Sequence, residues 1–305
     1  MNQKLKHILF GSREKSGLLW RLFIYVVLIG IGYIYVYPIL FSISSSLMSP
    51  EDLVDPTVSW IPTAINFDNF VRAVKVLDYA PSLVTSLLWS VFPALFQTAS
   101  TAVIGYGLAR YSFPLKKMWM ALIVMSFLIP TQVTMVPRYV LFKNYGFAGT
   151  PLPSLIPALL GQGIKSAVFI LIFFQFFSSY PKALDEAAEI DGAGKFKIFR
   201  SIAIPMAGPA ILVALLFSFI WYWNETNQSS LFFGGKIQTL PMKLSSFVDS
   251  YSRFYMSGEG TTKNRINEAI RLAGTLLTVA PLIAVYLALQ RQFVEGIERS
   301  GITGE

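Results

Sequence analysis

The sequence predicts an all-α polytopic membrane protein with six transmembrane helices, and three observations carry that prediction. Of the 305 residues, 54% are hydrophobic and only 14% are charged, whereas soluble domains carry about 25% charged residues. Six apolar stretches reach the roughly 20 residues needed to cross a hydrocarbon core. Prolines and glycines (Pro38, Pro93, Pro130, Pro157, Gly161, Pro209, Pro281) interrupt these stretches. Membrane helices tolerate such interruptions because neighbouring helices satisfy the freed backbone groups.

The first span, 18–47, follows a basic amino-terminal segment. It begins like a secretory signal, but its apolar run continues to Leu47 with no prompt A-x-A-like site, so a retained helix is expected. The second span, 82–109, ends at the basic turn "RYSFPLKK", and the third follows at 117–141. The fourth is expected as one helix over 153–178, the fifth over 205–228 and the sixth over 269–290. The chain therefore divides into residues 1–80 (amino-terminal segment, first helix, first outer loop), a five-helix core at 81–295 with a loop at 179–204, and a tail at 296–305.

Lysine and arginine set the orientation. Fourteen fall on the side holding both termini, "RYSFPLKK" and the 179–204 loop, and ten are spread over the longer loops opposite, with acids (Glu51, Asp52, Asp55, Asp68, Asp78) in the first of these. Basic residues in short loops are retained inside, so both termini and the 179–204 loop are expected in the cytoplasm. The net charge of +8 reflects this retention rather than nucleic-acid binding. With no cysteine and a single histidine, His7, the chain has no thiolate nucleophile and no His-rich zinc site.

The most polar loop reads "DEAAEIDGAGKFKIFRSIAIP", residues 185–205. Pro181 suits a helix start, and Asp185, Glu186 and Glu189 lie where the helix dipole favours acids. Gly192 and Gly194 break the pattern before a second amphipathic piece. Two short helices joined at a glycine corner, with small alanines for close approach, form a socket for another protein. "GAGKF" is not a phosphate-binding loop: the first glycine position is Glu189, the Ser/Thr position is Phe196, and no strand precedes it.

These residues also meet the spacing E-A-A-x-x-x-G-x9-I-x-L-P through Glu186, Ala187, Ala188, Gly192, Ile202 and Pro205, with Ile204 at the leucine position. "FLIPTQVTMVPRYVLFKNYGFAGTPLPSLIP", "FIWYWNE", "QTLP" and "LQRQFVEGIERSGITG" add four ordered matches. Together these resemble ABC-importer permeases of the maltose-type, carbohydrate-importing branch, and the resemblance implies a type I ABC importer permease fold. It implies that Glu186, Ala187, Ala188, Asp191, Gly192 and Pro205 belong to a coupling loop docked in a separate ATP-hydrolysing subunit. Glu186 would pair with a base there, Ala187 and Ala188 would allow close approach, and Gly192 would make the turn. It further implies a second homologous permease, two ATP-binding subunits and an extracytoplasmic solute-binding protein. ATP and magnesium would sit on the partner ATPases and no cofactor in this chain.

Two groups of residues are candidates for the solute pathway. Lys165 lies about 18 Å along a helix begun at Pro153, at 1.5 Å per residue, and ionisable groups at such depth are functional candidates. With Gln162 it lines a polar cavity and donates to a sugar hydroxyl or carboxylate, or else it forms a structural ion pair or interface anchor. Trp221, Asn224, Glu225 and Gln228 fall at i, i+3, i+4 and i+7, one face of a continuous helix. An aromatic plus three hydrogen-bonding groups suits a sugar, although an aromatic belt or an interhelical network reads equally from these residues. The loop at 229–268, long and without obvious structure, suits contact with the binding protein.

An ion-coupled secondary transporter predicts acids in mid-span, where none stands, and an intramembrane enzyme lacks a Ser–His or paired-Asp constellation. An ABC importer for a non-sugar solute is the remaining alternative.

Overall fold

The computed structural model describes residues 11–12, 15–255 and 266–301. His7, Lys4, Lys6, Arg13, Lys263, Arg265 and residues 302–305 of the tail lie outside the described residues. The described chain is helical apart from a two-residue antiparallel ladder, β1 (Gly11–Ser12) with β2 (Lys15–Ser16). The helices run α1 (Leu18–Ser46), α2 (Asp68–Leu77), α3 (Tyr79–Arg110), α4 (Lys116–Leu128), α5 (Thr131–Asn144), α6 (Leu152–Leu159), α7 (Ser166–Ser179) and α8 (Ala183–Ile190). They continue with α9 (Lys195–Ile198), α10 (Ile204–Met206), α11 (Gly208–Asn224), α12 (Asn227–Phe233), α13 (Leu240–Ser245), α14 (Phe247–Tyr255) and α15 (Glu268–Gly301).

Among the described residues, three helices are individually long and apolar enough to span a membrane: α1, α3 and Glu268–Gln292 of α15. Three bent pairs bring the total to six by length and composition: α4 with α5 at 99°, α7 with α8 at 71°, and Lys195–Met206 with α11 at 76°. The six-span prediction agrees with this, but two expectations about helix continuity are corrected. The fourth helix is not one piece over 153–178; it breaks between Leu159 and Ser166. The stretch 229–268 is not structureless either, since it holds the end of α12 and all of α13 and α14.

The chain forms two units. The first comprises residues 1–74 and 251–277. Here α1 exposes apolar side chains along almost its whole length and buries only Ser45 and Ser46. Its carboxy-terminal end and the residues after it are held by polar contacts. Asn69 Nδ2 donates to Ser46 O and Met48 O, each at 2.9 Å, and Arg72 donates to the Tyr251 hydroxyl at 3.1 Å. The loop after α1 is organised around buried Asp52, which accepts from Thr63 Oγ1 at 2.6 Å, Thr63 N at 3.2 Å and Ser49 N at 3.4 Å. These donors, the Thr63 hydroxyl foremost, hold the Asp52 carboxyl below the usual carboxylate range. A carboxyl depressed on folding stabilises fully above its unfolded value near 4 and loses that stabilisation as pH falls through its folded value. Amide exchange over residues 47–67 is therefore expected to be flat from pH 5 to 8, once corrected for intrinsic rate, and to rise below about pH 4. Asp52→Asn should remove that acid step.

The second unit, residues 75–250 and 278–305, is built around α3. Its buried face carries Ser82, Ser86, Ser90, Ala94, Gln97, Thr101 and Gly105, a stripe at helical spacing. Small residues let membrane helices approach closely where no hydrophobic force drives them together. Gly105 meets α7 so tightly that an added Cβ would stand 2.5 Å from Phe173 Cβ and 2.9 Å from Phe174 N. Phe169, Phe173 and Phe177 of α7 pack with Ala102 and Tyr106 of α3 and with Ala207, Ala210 and Ala214 at α11. A second cluster joins Phe142, Phe232, Phe233 and Met242.

Candidate functional site

Two regions of the second unit carry the candidate residues. The first is the 180–206 loop. Chain direction changes at Tyr180, which is extended (φ −78°, ψ 148°) after α7. Helix α8 starts at Ala183, two residues beyond Pro181, with Asp185 and Glu186 in its first turn. It ends through bonds from Asp191 N to Ala187 O at 3.0 Å, Gly192 N to Glu189 O at 3.0 Å and Ala193 N to Ala188 O at 2.9 Å. Gly192 adopts φ +77°, the left-handed conformation that glycine reaches without a Cβ penalty. Lys195 Nζ then returns to Glu189 Oε1 at 2.8 Å and ties α9 to α8.

Past α9 the helix widens into a π-turn, Phe199–Ala203, where Ile204 N donates to Phe199 O five residues back. Proline has no N–H and cannot make the i−4 bond, so Pro205 in α10 removes the donor that would tighten this turn. Pro205 is exposed, whereas Ala203 is fully buried against α3, α7 and α11.

No residue of α8 is buried. Glu186 and Ala187 face outward, Ile190 is 87% exposed and Phe196 74%. Glu186 and Ala187 thus share an exposed surface with two apolar side chains, Ile190 and Phe196, that no described part of the chain covers. The inner side of α8 is anchored. Arg110, the last residue of α3, places Nε 3.2 Å from Asp185 Oδ2 and donates from Nη2 to Tyr180 O at 3.1 Å. Its guanidinium stacks 3.5 Å from the Tyr180 ring centroid, and the Tyr180 hydroxyl donates to Asp185 Oδ1.

The second region is the break between α6 and α7. Gly161 (φ +71°) and Lys165 (φ +53°) are both left-handed there, and the freed backbone groups are met by side chains. Gln97 Nε2 donates to Ile164 O at 2.9 Å and to Ser218 Oγ at 3.1 Å. Tyr222 donates to Gln97 Oε1 at 2.8 Å and accepts from Ile164 N at 3.3 Å. Ser100 donates to Ala158 O at 2.7 Å. Non-helical backbone at membrane depth persists only with such partners.

Lys165 is therefore not deep along one helix, as the sequence suggested. It caps the start of α7, with Nζ 4.6 Å from the Trp221 ring centroid, and Trp221 in turn packs on Phe169 and Phe217. Gln162 lies exposed within the break. The expected continuous face through 221, 224, 225 and 228 is also corrected. Helix α11 ends at Asn224, Glu225 is extended (ψ 106°), and Gln228 belongs to α12. Asn224 turns back to Ile220 O at 3.0 Å. Glu225 accepts from Gln228 N at 2.7 Å, and Gln228 Oε1 lies 3.5 Å from Arg138 Nη1. Arg138, Pro153, Pro157, Tyr222, Glu225 and Gln228 line one crevice. The structure thus joins Lys165 with Trp221, and Glu225 with Gln228, while Asn224 joins neither group.

Sequence reading missed Gln97, Tyr222, Arg138 and the Arg110–Asp185–Tyr180 anchor. Gln97 carried a signal, an amide in the middle of an apolar span; Arg138 was counted with the outer-loop bases although it stands on α5, half-buried.

Residues 101–299 match the family described as binding-protein-dependent transport system inner membrane component, and the chain belongs to that family. It is 26% identical over 295 residues, covering 94% of each chain, to the osmoprotective compounds uptake permease protein GgtD of Synechocystis sp.. It is 29% identical over 254 residues, 82% of this chain and 86% of the relative, to the melibiose/raffinose/stachyose import permease protein MelC of Bacillus subtilis. A chain of a bacterial ABC transporter that imports the acidic polysaccharide alginate has the same fold, with a TM-score of 0.72 at 20% identity over 92% of this chain and 99% of that one. The protein is a multi-pass inner-membrane permease component of a transport system and not an enzyme.

Proposed function

We propose that this chain forms half of the translocation pathway of an ATP-driven, binding-protein-dependent importer of sugars or oligosaccharides. It pairs with a second homologous permease, with two ATP-binding subunits that hold ATP and magnesium, and with an extracytoplasmic solute-binding protein. The observation that carries this reading is α8: an unburied acid–alanine face with its turn and following proline at the permease spacing. A relative named for melibiose, raffinose and stachyose import supports the cargo class. The distribution of Lys and Arg supports cytoplasmic termini.

In this reading Glu186, Ala187, Ala188, Asp191, Gly192 and Pro205 form the ATPase-coupling surface. Closure of the ATPases draws α8 inward and turns the pathway outward; release reverses it. Gln162, Lys165, Trp221, Asn224, Glu225 and Gln228 are assigned to the solute route, Gln162, Lys165 and Trp221 at the break, Glu225 and Gln228 at the crevice, and Asn224 at the end of α11.

The chain has no native cysteine, so Ala187→Cys supplies a single crosslinking site. A crosslink from it to the ATP-binding subunit is expected, and none in assembled transporter would remove the coupling assignment. Glu186→Ala should weaken that docking by about 2–5 kcal/mol if the acid pairs with a base there, seen as reduced solute-stimulated ATPase activity. For the pathway, Lys165→Met should lower uptake of a labelled oligosaccharide; unchanged uptake and ATPase activity would exclude Lys165 from the route.

A further inference from the structure

Helix α3 is held at both ends of the machinery described above. At its last residue Arg110 clamps α8 through Asp185 and Tyr180, and the side chain of Arg110 is only 4% exposed. Thirteen residues earlier, about 20 Å along the helix at 1.5 Å per residue, Gln97 holds Ile164 in the broken fourth span together with Ser218 and Tyr222 of α11. Nothing loose intervenes, because Thr101 donates to Gln97 O at 2.6 Å and Gly105 lies against the α7 backbone.

We propose that the Arg110–Asp185–Tyr180 clamp makes α3 the rod that carries displacement of α8 to the 160–165 break, with Asp185 and Arg110 as positioning residues of transport. The inference rests on the permease reading. On the coupling loop, Glu186 faces outward toward the partner while Asp185, its neighbour, faces inward to Arg110. One turn of helix thus holds the group that receives the movement beside the group that passes it on. Arg110 Nε lies 3.2 Å from Asp185 Oδ2 without a hydrogen bond between them, and Tyr180 joins the two, its ring against the guanidinium and its hydroxyl on Asp185. The connection through the loop backbone after α8 is weaker mechanically, since it passes through Gly192, Gly194 and the π-turn before reaching α11.

The test uses the assembled transporter with an environment-sensitive fluorophore on one introduced cysteine. Two sites are used in separate samples: Lys182→Cys beside α8 and Leu160→Cys in the break, both exposed in the structure. ATP addition is expected to shift the signal at both sites. In an Asp185→Asn background the Lys182 response should persist while the Leu160 response falls at least about fivefold, the lower end of ordinary coupling between sites. Tyr180→Phe, which removes only one hydroxyl, should give a smaller loss of the same kind and serves where Asp185→Asn does not assemble. Equal Leu160 responses with and without the clamp would overturn the proposal, and so would loss of the Lys182 response together with that at Leu160, which would place Asp185 in docking instead. Absence of any nucleotide response at Lys182 in the otherwise native chain would defeat the coupling-loop reading of α8 itself.

Discussion

Gly105→Val is expected to prevent α3 and α7 from closing and to abolish recovery of folded protein from the membrane. Any Cβ at this position meets Phe173 Cβ at 2.5 Å and the Phe174 backbone nitrogen at 2.9 Å, and backbone cannot move aside as a flexible side-chain tip can. Overpacking costs about 1–3 kcal/mol in ordinary cores, and the backbone encounter puts this substitution at or above the top of that range, about 3 kcal/mol. Gly107, two residues on, has open space around its Cβ position, so Gly107→Ala should be neutral or slightly stabilising as a helix substitution. Comparing the two by fluorescence-detected size exclusion and thermal midpoint in detergent separates packing from helix propensity. Equal behaviour would show that the close approach of α3 to α7 does not hold the second unit together.

Gln97→Leu should produce the next largest loss. Interhelical hydrogen bonds in membranes average about 0.6 kcal/mol each, so the three made by the Gln97 side chain account for under about 2 kcal/mol. The larger part comes from what remains behind. Ile164 O loses its donor and the Tyr222 hydroxyl loses its acceptor, each orphan costing about 1–3 kcal/mol. A total near 4 kcal/mol is expected, read as a lower thermal midpoint and as new proteolytic sensitivity over residues 160–165. Gln97→Glu keeps an acceptor for Tyr222 and should lose less at neutral pH only if the carboxyl stays protonated in its buried site. A thermal midpoint of Gln97→Leu within a degree of the native value would show that the break holds its shape without this side chain.

Much of the fold was legible because it rests on local composition. The apolar stretches announced the spans, and the acid-rich start and Gly192 announced a helix and a corner in one loop, whereas the widened turn at Phe199–Ala203 had no sequence signal that was read. The break in the fourth span was not legible as such. A run such as "LLGQGIKSAVF" remains apolar on average, while the direction of the backbone depends on Gly161 and Lys165 adopting positive φ. That conformation is held by partners 67 and 58 residues away along the chain, in the Gln97–Ile164 and Tyr222–Ile164 contacts. The end of α11 was misplaced for a related reason: Asn224 and Glu225 each have a local alternative, a turn back to Ile220 O and a cap on α12, and periodicity does not show which one the chain takes. Arg110 looked like one more interior base; its pairing with Asp185 depends on where the loop folds back.

The widened turn at Phe199–Ala203 has a geometric consequence. In a regular helix each residue rotates the chain by about 100° and advances it about 1.5 Å, so the extra residue there sets the azimuth from which everything upstream is aimed. The nine residues between Gly192 and Ile202 therefore specify an angle as well as a length. Deleting Ser201 would leave every side chain of the acidic helix intact while removing the residue that the widened turn accommodates, and would change the angle at which that helix departs from α11.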